Sequence, residues 1–263
     1  QYTRLIQAFQ RAAPKHRHYV PLRLVEFKDL YWLPSATPLD LARELKWAES
    51  WLAPAVARLT AHANQVDVAE DLFNAGDLEG LGNLVNESIQ VNGWSFWAAS
   101  LQIGAEAALG KEIKSAEALE KQGFNRASGL LARMIRDRND AAISYGNFEG
   151  RCKDFIDRLD DDNRSALYRF RALAEFDDHN DMLRMLAADA TSSYVDYYES
   201  IISVAIHALA DSEDEQVVRD VLDSLSNLEL LGLVDIRIQR IRNRMERSKE
   251  FVAPFTENAA PNL

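Results

Sequence analysis

The 263-residue chain holds a single cysteine, Cys152. It can close no intramolecular disulfide and build no thiolate zinc site, so a reducing, cytoplasmic setting is expected. Proline is confined to the two ends: Pro14, Pro21, Pro34, Pro38 and Pro54, then Pro254 and Pro261. A proline inside a helix costs ~3 kcal/mol, so the long interval without one is what a continuous helical array requires. Long hydrophobic runs are missing too. The best, Ala98 to Leu109, is interrupted by Gln102, Gly104 and Glu106, well short of the ~20 apolar residues of a spanning helix, and no membrane partner is expected. No G-x-S-x-G elbow, phosphate-binding Walker loop or dinucleotide fingerprint occurs, which leaves the common hydrolase, NTPase and Rossmann classes without support.

Basic residues are in deficit, 30 against 41 acids, for a net charge of −11. Residues 1–60 run the other way, with nine Lys/Arg against five Asp/Glu, leaving about −15 on the remainder. Affinity for phosphate backbones rests on clustered Lys and Arg, so an acidic body argues against general nucleic-acid binding. The first residue is Gln1, which reads as the start of a processed or excised piece of a longer chain. No signal peptide is visible.

Apolar residues make up 47% of the chain, enough for a buried core. Every glycine lies between Gly76 and Gly232, and several sit where helices should turn. Helix starts are legible as well. Thr37-Pro38-Leu39-Asp40 offers an N-cap, a first-turn proline and an acid, ahead of Leu41, Leu45, Ala48 and Leu52, with Trp47 and Trp51 four apart. Ser212 with Glu215 predicts a capping box, Ser193 with Asp196 a looser one. Asp160 to Asn163 puts negative charge at the start of another helix. A helix is expected from Tyr2 to Arg11, and an extended tail from Phe251 to Leu263.

An internal repeat adds to this. Gly76-Asp77-Leu78-Glu79-Gly80 recurs as Gly146-Asn147-Phe148-Glu149-Gly150, 70 residues on, and Gly110 marks the halfway point. A helix–turn–helix unit of ~34 residues is a common solenoid period. Over about residues 65–230 the pattern resembles the tetratricopeptide-type helical hairpin repeats, with Gly80 and Gly150 standing where that family usually has alanine. The resemblance implies a right-handed α-solenoid that binds a peptide or protein in a concave groove. The organisation expected is all-α: an N-terminal lead and capping helices over 1–60, the repeat array over 61–250, and the tail over 251–263.

The expected function is therefore a non-catalytic protein- or peptide-binding scaffold, part of a larger protein or complex and needing no cofactor or metal. Trp94, Trp97 and Tyr197 are the candidate aromatic anchors, and Arg133 and Arg136 the candidate contacts to an acidic partner. Two rivals stand beside it. Asp177-Asp178-His179-Asn180-Asp181 matches the aspartate-rich element of isoprenoid diphosphate synthases, whose carboxylates hold Mg²⁺, although no second metal-binding pattern follows it. Arg237, Arg240, Arg242, Arg244, Arg247 and Lys249 line a C-terminal helix. They read either as an outer face paired with the acidic stretch Asp211 to Asp223 or as a docking stripe for an acidic partner or nucleic acid. The histidines show no ligand spacing, and Cys152 reads as packing.

Overall fold

Helix α1 (Leu41–Leu52) begins where Asp40, in extended backbone, accepts a hydrogen bond from the Arg43 amide at 2.9 Å. The cap is thus Asp40 and not Thr37, which falls outside the described residues: the computed structural model describes residues 26–27, 40–110, 114–122, 127–159, 162–176, 179–190, 193–210 and 215–256. The expected helix at Tyr2–Arg11, and Ser212 of the expected capping box, lie outside them too. A 3-10 turn, Ala53–Ala55, carries Pro54. There follow α2 (Val56–Ala75), α3 (Leu78–Asn92), α4 (Phe96–Ala108), α5 (Lys114–Gln122), α6 (Ala127–Asn139), α7 (Tyr145–Ile156), α8 (Asp162–Leu173), α9 (His179–Asp189), α10 (Tyr194–Ala210), α11 (Glu215–Leu230) and α12 (Ile236–Thr256). The protein is all-helical over the described residues, and among them no helix is long and apolar enough to cross a membrane. Helix α12 takes in Phe251–Thr256, so the tail expected to be extended from Phe251 starts as helix. Lys249 and Glu250 favour the helix, and Pro254 falls only in its last turn.

Glycines end several helices because they alone take positive φ without strain. Gly76, Gly93 and Gly110 close α2, α3 and α4 at 17-residue intervals, with φ of 72°, 82° and 64°. At Gly76 the Asp77 amide reaches back to the Leu72 carbonyl at 2.9 Å, and the Asp77 side chain then caps α3 through the Gly80 amide. A β-carbon on Gly80 would meet Asp77 Oδ2 at 2.4 Å, so the glycine makes room for the cap. The second copy of the motif is built differently. Ser144 caps α7, and Gly146 sits inside its first turn. Similar strings therefore play different parts, because the neighbouring serine supplies the cap that Asp77 supplies in the first copy.

Packing between helices combines hairpins with longer-range contacts. Sequence neighbours pair (α2 with α3, α3 with α4, α5 with α6, α8 with α9), and alternate helices α4–α6, α6–α8 and α10–α12 also touch. Beyond that, α1 seats on α9, α10 and α11. Ser224 donates to the Leu45 carbonyl at 3.4 Å, and Asn227 to Glu49 at 3.0 Å. Helix α10 touches α1, α2, α4, α9, α11 and α12, and most of its residues are buried. Helix α10 thus lies in the interior, against helices from both halves of the chain. One core runs from Phe27 to Met245, with a small satellite of Ala69, Leu81 and Ala105.

Candidate binding cleft and docking surface

Of the three aromatic candidates, one lies in the core and two pack against it. Tyr197 is fully buried. Trp94 is half-buried edge-on to Phe27 at 5.6 Å, and Trp97 edge-on to His62 at 4.7 Å. Aromatics at helical spacing fill gaps between helices before they line surfaces, and α10 brings Tyr197 into the centre. The two arginine candidates are engaged by α5. Glu120 receives Arg133 at 2.6 Å and Arg136 at 2.7 Å, and Arg136 also pairs with Asp137. The structure thus brings Arg133 and Arg136 together around one carboxylate.

What the sequence reading missed is the polar spine of α10. Asp196, expected to cap its own helix, instead accepts hydrogen bonds from the Phe96 and Trp97 amides at 2.7 and 3.2 Å. It supplements Ser95, the local cap of α4. Burial pushes the Asp196 carboxyl up to about 6, against the pull of nearby Arg171 and those two amides. Arg171, itself buried, donates from Nη2 to Asp189, to the Asp196 carbonyl and to Ser200, and its guanidinium lies 5.1 Å from the Phe96 ring centre. One turn on, Glu199 accepts from His62 Nε2 at 2.8 Å and from both terminal nitrogens of Arg237 at 2.8 Å. Burial opposes the Glu199 charge, yet these donors outweigh it and hold the carboxyl down at about 2. Arg237 also binds Asp235, which accepts from Tyr198 at 2.7 Å. Two networks therefore tie α10 to α2, α4, α8, α9 and α12.

A cleft of about 270 Å³ opens between α4 and α6. Its walls are mostly apolar, with Phe96, Leu101, Leu131 and Met134 among them, and Phe73, 59% exposed, lines it too. Arg171 and Ser100 also line it, and among the described residues Arg171 Nε and Ser100 Oγ are buried without a hydrogen-bond partner. A second hollow of about 280 Å³ lies between α6 and α7 beside Arg133 and Cys152. There burial, with Asp137 nearby, pushes the Cys152 thiol up to about 11, so at neutral pH it is a packed thiol and not a nucleophile.

Among the described residues the outer surface carries a dense apolar corner. Leu230 is 85% exposed, Leu231 60%, Val234 63% and Ile236 47%. The turn that presents them is pinned to α2, where Thr60 donates to the Gly232 carbonyl and accepts from the Val234 amide. Ile236 continues along α12 into Arg240, Arg244 and Arg247, all exposed and at helical spacing on one face. The C-terminal arginines thus divide. Arg237 and Arg242 are taken by Glu199, Asp235 and Glu229, partners outside the acidic stretch 211–223 expected for them, whereas no ion pair within the described residues holds the other three.

Of the aspartate-rich element, Asp181 is buried and held by Arg169 at 2.9 Å and Arg184 at 3.1 Å; Asp177 and Asp178 lie outside the described residues. Among the described residues no group of three or more His, Cys, Asp or Glu is placed to hold a metal ion. Comparison with protein-family models, with curated proteins and with solved structures finds no match.

Proposed function

We propose that the protein is a non-catalytic helical scaffold that docks an acidic, amphipathic segment of a partner protein on the α11–α12 corner. The observation that carries this reading is the adjacency of Leu230, Leu231, Val234 and Ile236 to Arg240, Arg244 and Arg247. A helix-in-groove or helix-on-face partner is read by apolar anchors at helical spacing with charges at the rim, and single-sign charge selects the partner's sign. Nucleic acid would use the arginines but has little use for four exposed aliphatic side chains, and the body of the chain is acidic. The helical-hairpin resemblance belongs to this reading. The 17-residue spacing of Gly76, Gly93 and Gly110 gives the ~34-residue hairpin period of such scaffolds, in an array that curls until its first described helix meets α11.

The test is fluorescence anisotropy with three probes: a labelled amphipathic Glu/Leu helical peptide, its Lys/Leu counterpart, and a short DNA duplex. The acidic peptide should bind, and binding should fall at least tenfold in both Leu230→Asp/Leu231→Asp and Arg240→Glu/Arg244→Glu. Tight, steeply salt-dependent DNA binding untouched by the leucine changes would replace this reading with the nucleic-acid one. Equal binding of both peptides would remove the role given to the arginines.

A further inference from the structure

The α4–α6 cleft is set apart from its surroundings by charge. In a chain carrying 41 acids, its walls include no aspartate or glutamate among the described residues, while Arg138 and Arg171 both line it. The hollow between α6 and α7 differs. It includes Asp137, and its two arginines are already paired, Arg133 with Glu120 at 2.6 Å and Arg151 with Asp137 at 3.7 Å.

The two cations of the α4–α6 cleft are not equivalent. Arg171 is buried and faces Asp189 and Asp196, so its charge is neutralised within the core. Arg138 is exposed, and no carboxylate among the described residues pairs with it. Its place is fixed all the same. Nη1 donates to the Ala172 carbonyl at 3.3 Å, and Ala172 belongs to the cleft wall. The guanidinium is thereby held at the rim beside the last turn of α8, with Nε and Nη2 left for the forked pairing that arginine makes with a carboxylate.

The walls and the volume give the rest of the occupant. Phe96, Leu101, Leu131, Met134 and Ile135 line about 270 Å³. A dry apolar cavity of ~150 Å³ takes benzene, so this one accommodates on the order of ten to twelve non-hydrogen atoms, one alkyl chain of about eight to ten carbons with a carboxylate. A peptide helix, ~10 Å across with its side chains, is too wide for that space. The net charge of −11 opposes an anion only weakly, because exposed charges more than ~10 Å away are largely screened at 0.1 M salt.

We infer that the α4–α6 cleft binds a medium-chain fatty acid anion, its alkyl chain against Phe96, Leu101, Leu131 and Ile135 and its carboxylate on Arg138 at the rim. The site shares no residue with the α11–α12 corner, so either reading can fail without the other.

Octanoate, octanamide and octylammonium test it, since they share one tail and differ in charge. In methyl-labelled protein, NMR titration reads Leu101 and Ile135 in this cleft and Leu130 in the α6–α7 hollow. Octanoate should give saturable shifts at Leu101 and Ile135 with a Kd of about millimolar or below, larger than any shift at Leu130. Octylammonium should bind about fivefold more weakly or worse at neutral pH. Arg138→Gln should weaken octanoate by about threefold or more, as loss of an exposed charge-assisted pair requires, and leave octanamide within about twofold. Gly104→Leu should abolish the saturable shifts while the circular dichroism stays native, because a β-carbon at Gly104 meets nothing closer than Asn139 Oδ1 at 3.7 Å and the leucine would occupy the cleft. If Gly104→Leu does not fold, Arg138→Gln with the three ligands decides. The proposal is overturned by the absence of saturable shifts, by shifts centred on Leu130, by octylammonium binding as tightly as octanoate, or by Arg138→Gln binding octanoate as the native protein does.

Discussion

At Arg171 a side chain only 6% exposed keeps its charge because Asp189 lies within hydrogen-bond distance and Asp196 close by. Truncating one partner of such a pair strands the others without compensation, which costs ~3–5 kcal/mol. Arg171→Met should therefore lower stability by about that much in urea unfolding. Arg133→Ala should change it by less than about 1 kcal/mol, since Arg133 is 56% exposed and Glu120 keeps Arg136. Equal losses in the two variants would mean that the central network is not what holds α8, α9 and α10 together. Glu199 adds a pH dependence whose sign follows from its depressed carboxyl, at about 2 against 4.5. A depressed folded-state value stabilises above the unfolded value and is lost as pH falls through 4.5 toward 2, a contribution of roughly 3 kcal/mol. The stability gap between the native protein and Glu199→Gln should thus be full at pH 6, roughly halve by about pH 3 and all but close by about pH 2. A gap constant across that range would show that the carboxyl is not held down. The residue scale is also where the sequence is least informative. Asp196 reads as a cap for its own helix, and nothing in its neighbourhood reveals that its oxygens meet the amides of Phe96 and Trp97 a hundred residues earlier.

Helix elements show how one motif can do two jobs. Gly76 holds φ 72° at the end of α2, whereas Gly146 sits in the first turn of α7 with no heavy atom within 4 Å of an added β-carbon. Alanine at 76 must adopt a left-handed backbone, at a cost of ~1–2 kcal/mol. At 146 it removes glycine's unfolded-state entropy and improves helix propensity, for a gain of ~0.5–1 kcal/mol. Gly76→Ala should lower the thermal midpoint and Gly146→Ala raise it. If both shift the same way, the two copies are structurally equivalent after all. Helix existence was largely legible: Leu45, Ala48 and Leu52 are buried as their spacing implies, and Trp47 stacks on Trp51 at 6.0 Å. Helix ends were less so, because α1 takes its cap from Asp40, read from the sequence as a first-turn acid, and Lys249–Glu250 carry α12 past Phe251.

Across the whole molecule, the contact between α1 and α11 changes what kind of unfolding to expect. Repeat arrays whose units touch only neighbours can open from their ends. Here Leu45, 2% exposed, lies on a helix that also covers α9, α10 and α11. Leu45→Ala, at ~2–5 kcal/mol, should raise hydrogen exchange in α11 as well as in α1. Faster exchange restricted to α1 would restore the picture of independently fraying repeats.

The all-helical character, the glycine breaks and the amphipathic faces were determined by the sequence alone, because proline placement, capping and 3.6-residue periodicity act within a few residues of chain. Which faces meet was decided only by the tertiary structure. Burial of α10 with its Tyr197, the pairing of Arg171 with Asp189 and the edge-on packing of half-buried Trp94 and Trp97 on Phe27 and His62 depend on contacts between segments tens to hundreds of residues apart. The candidate sites divide along the same line. The C-terminal arginines were visible as a stripe, but ion pairing had to choose which three stay exposed, and the α4–α6 cleft exists only where four or more helices bring their walls together.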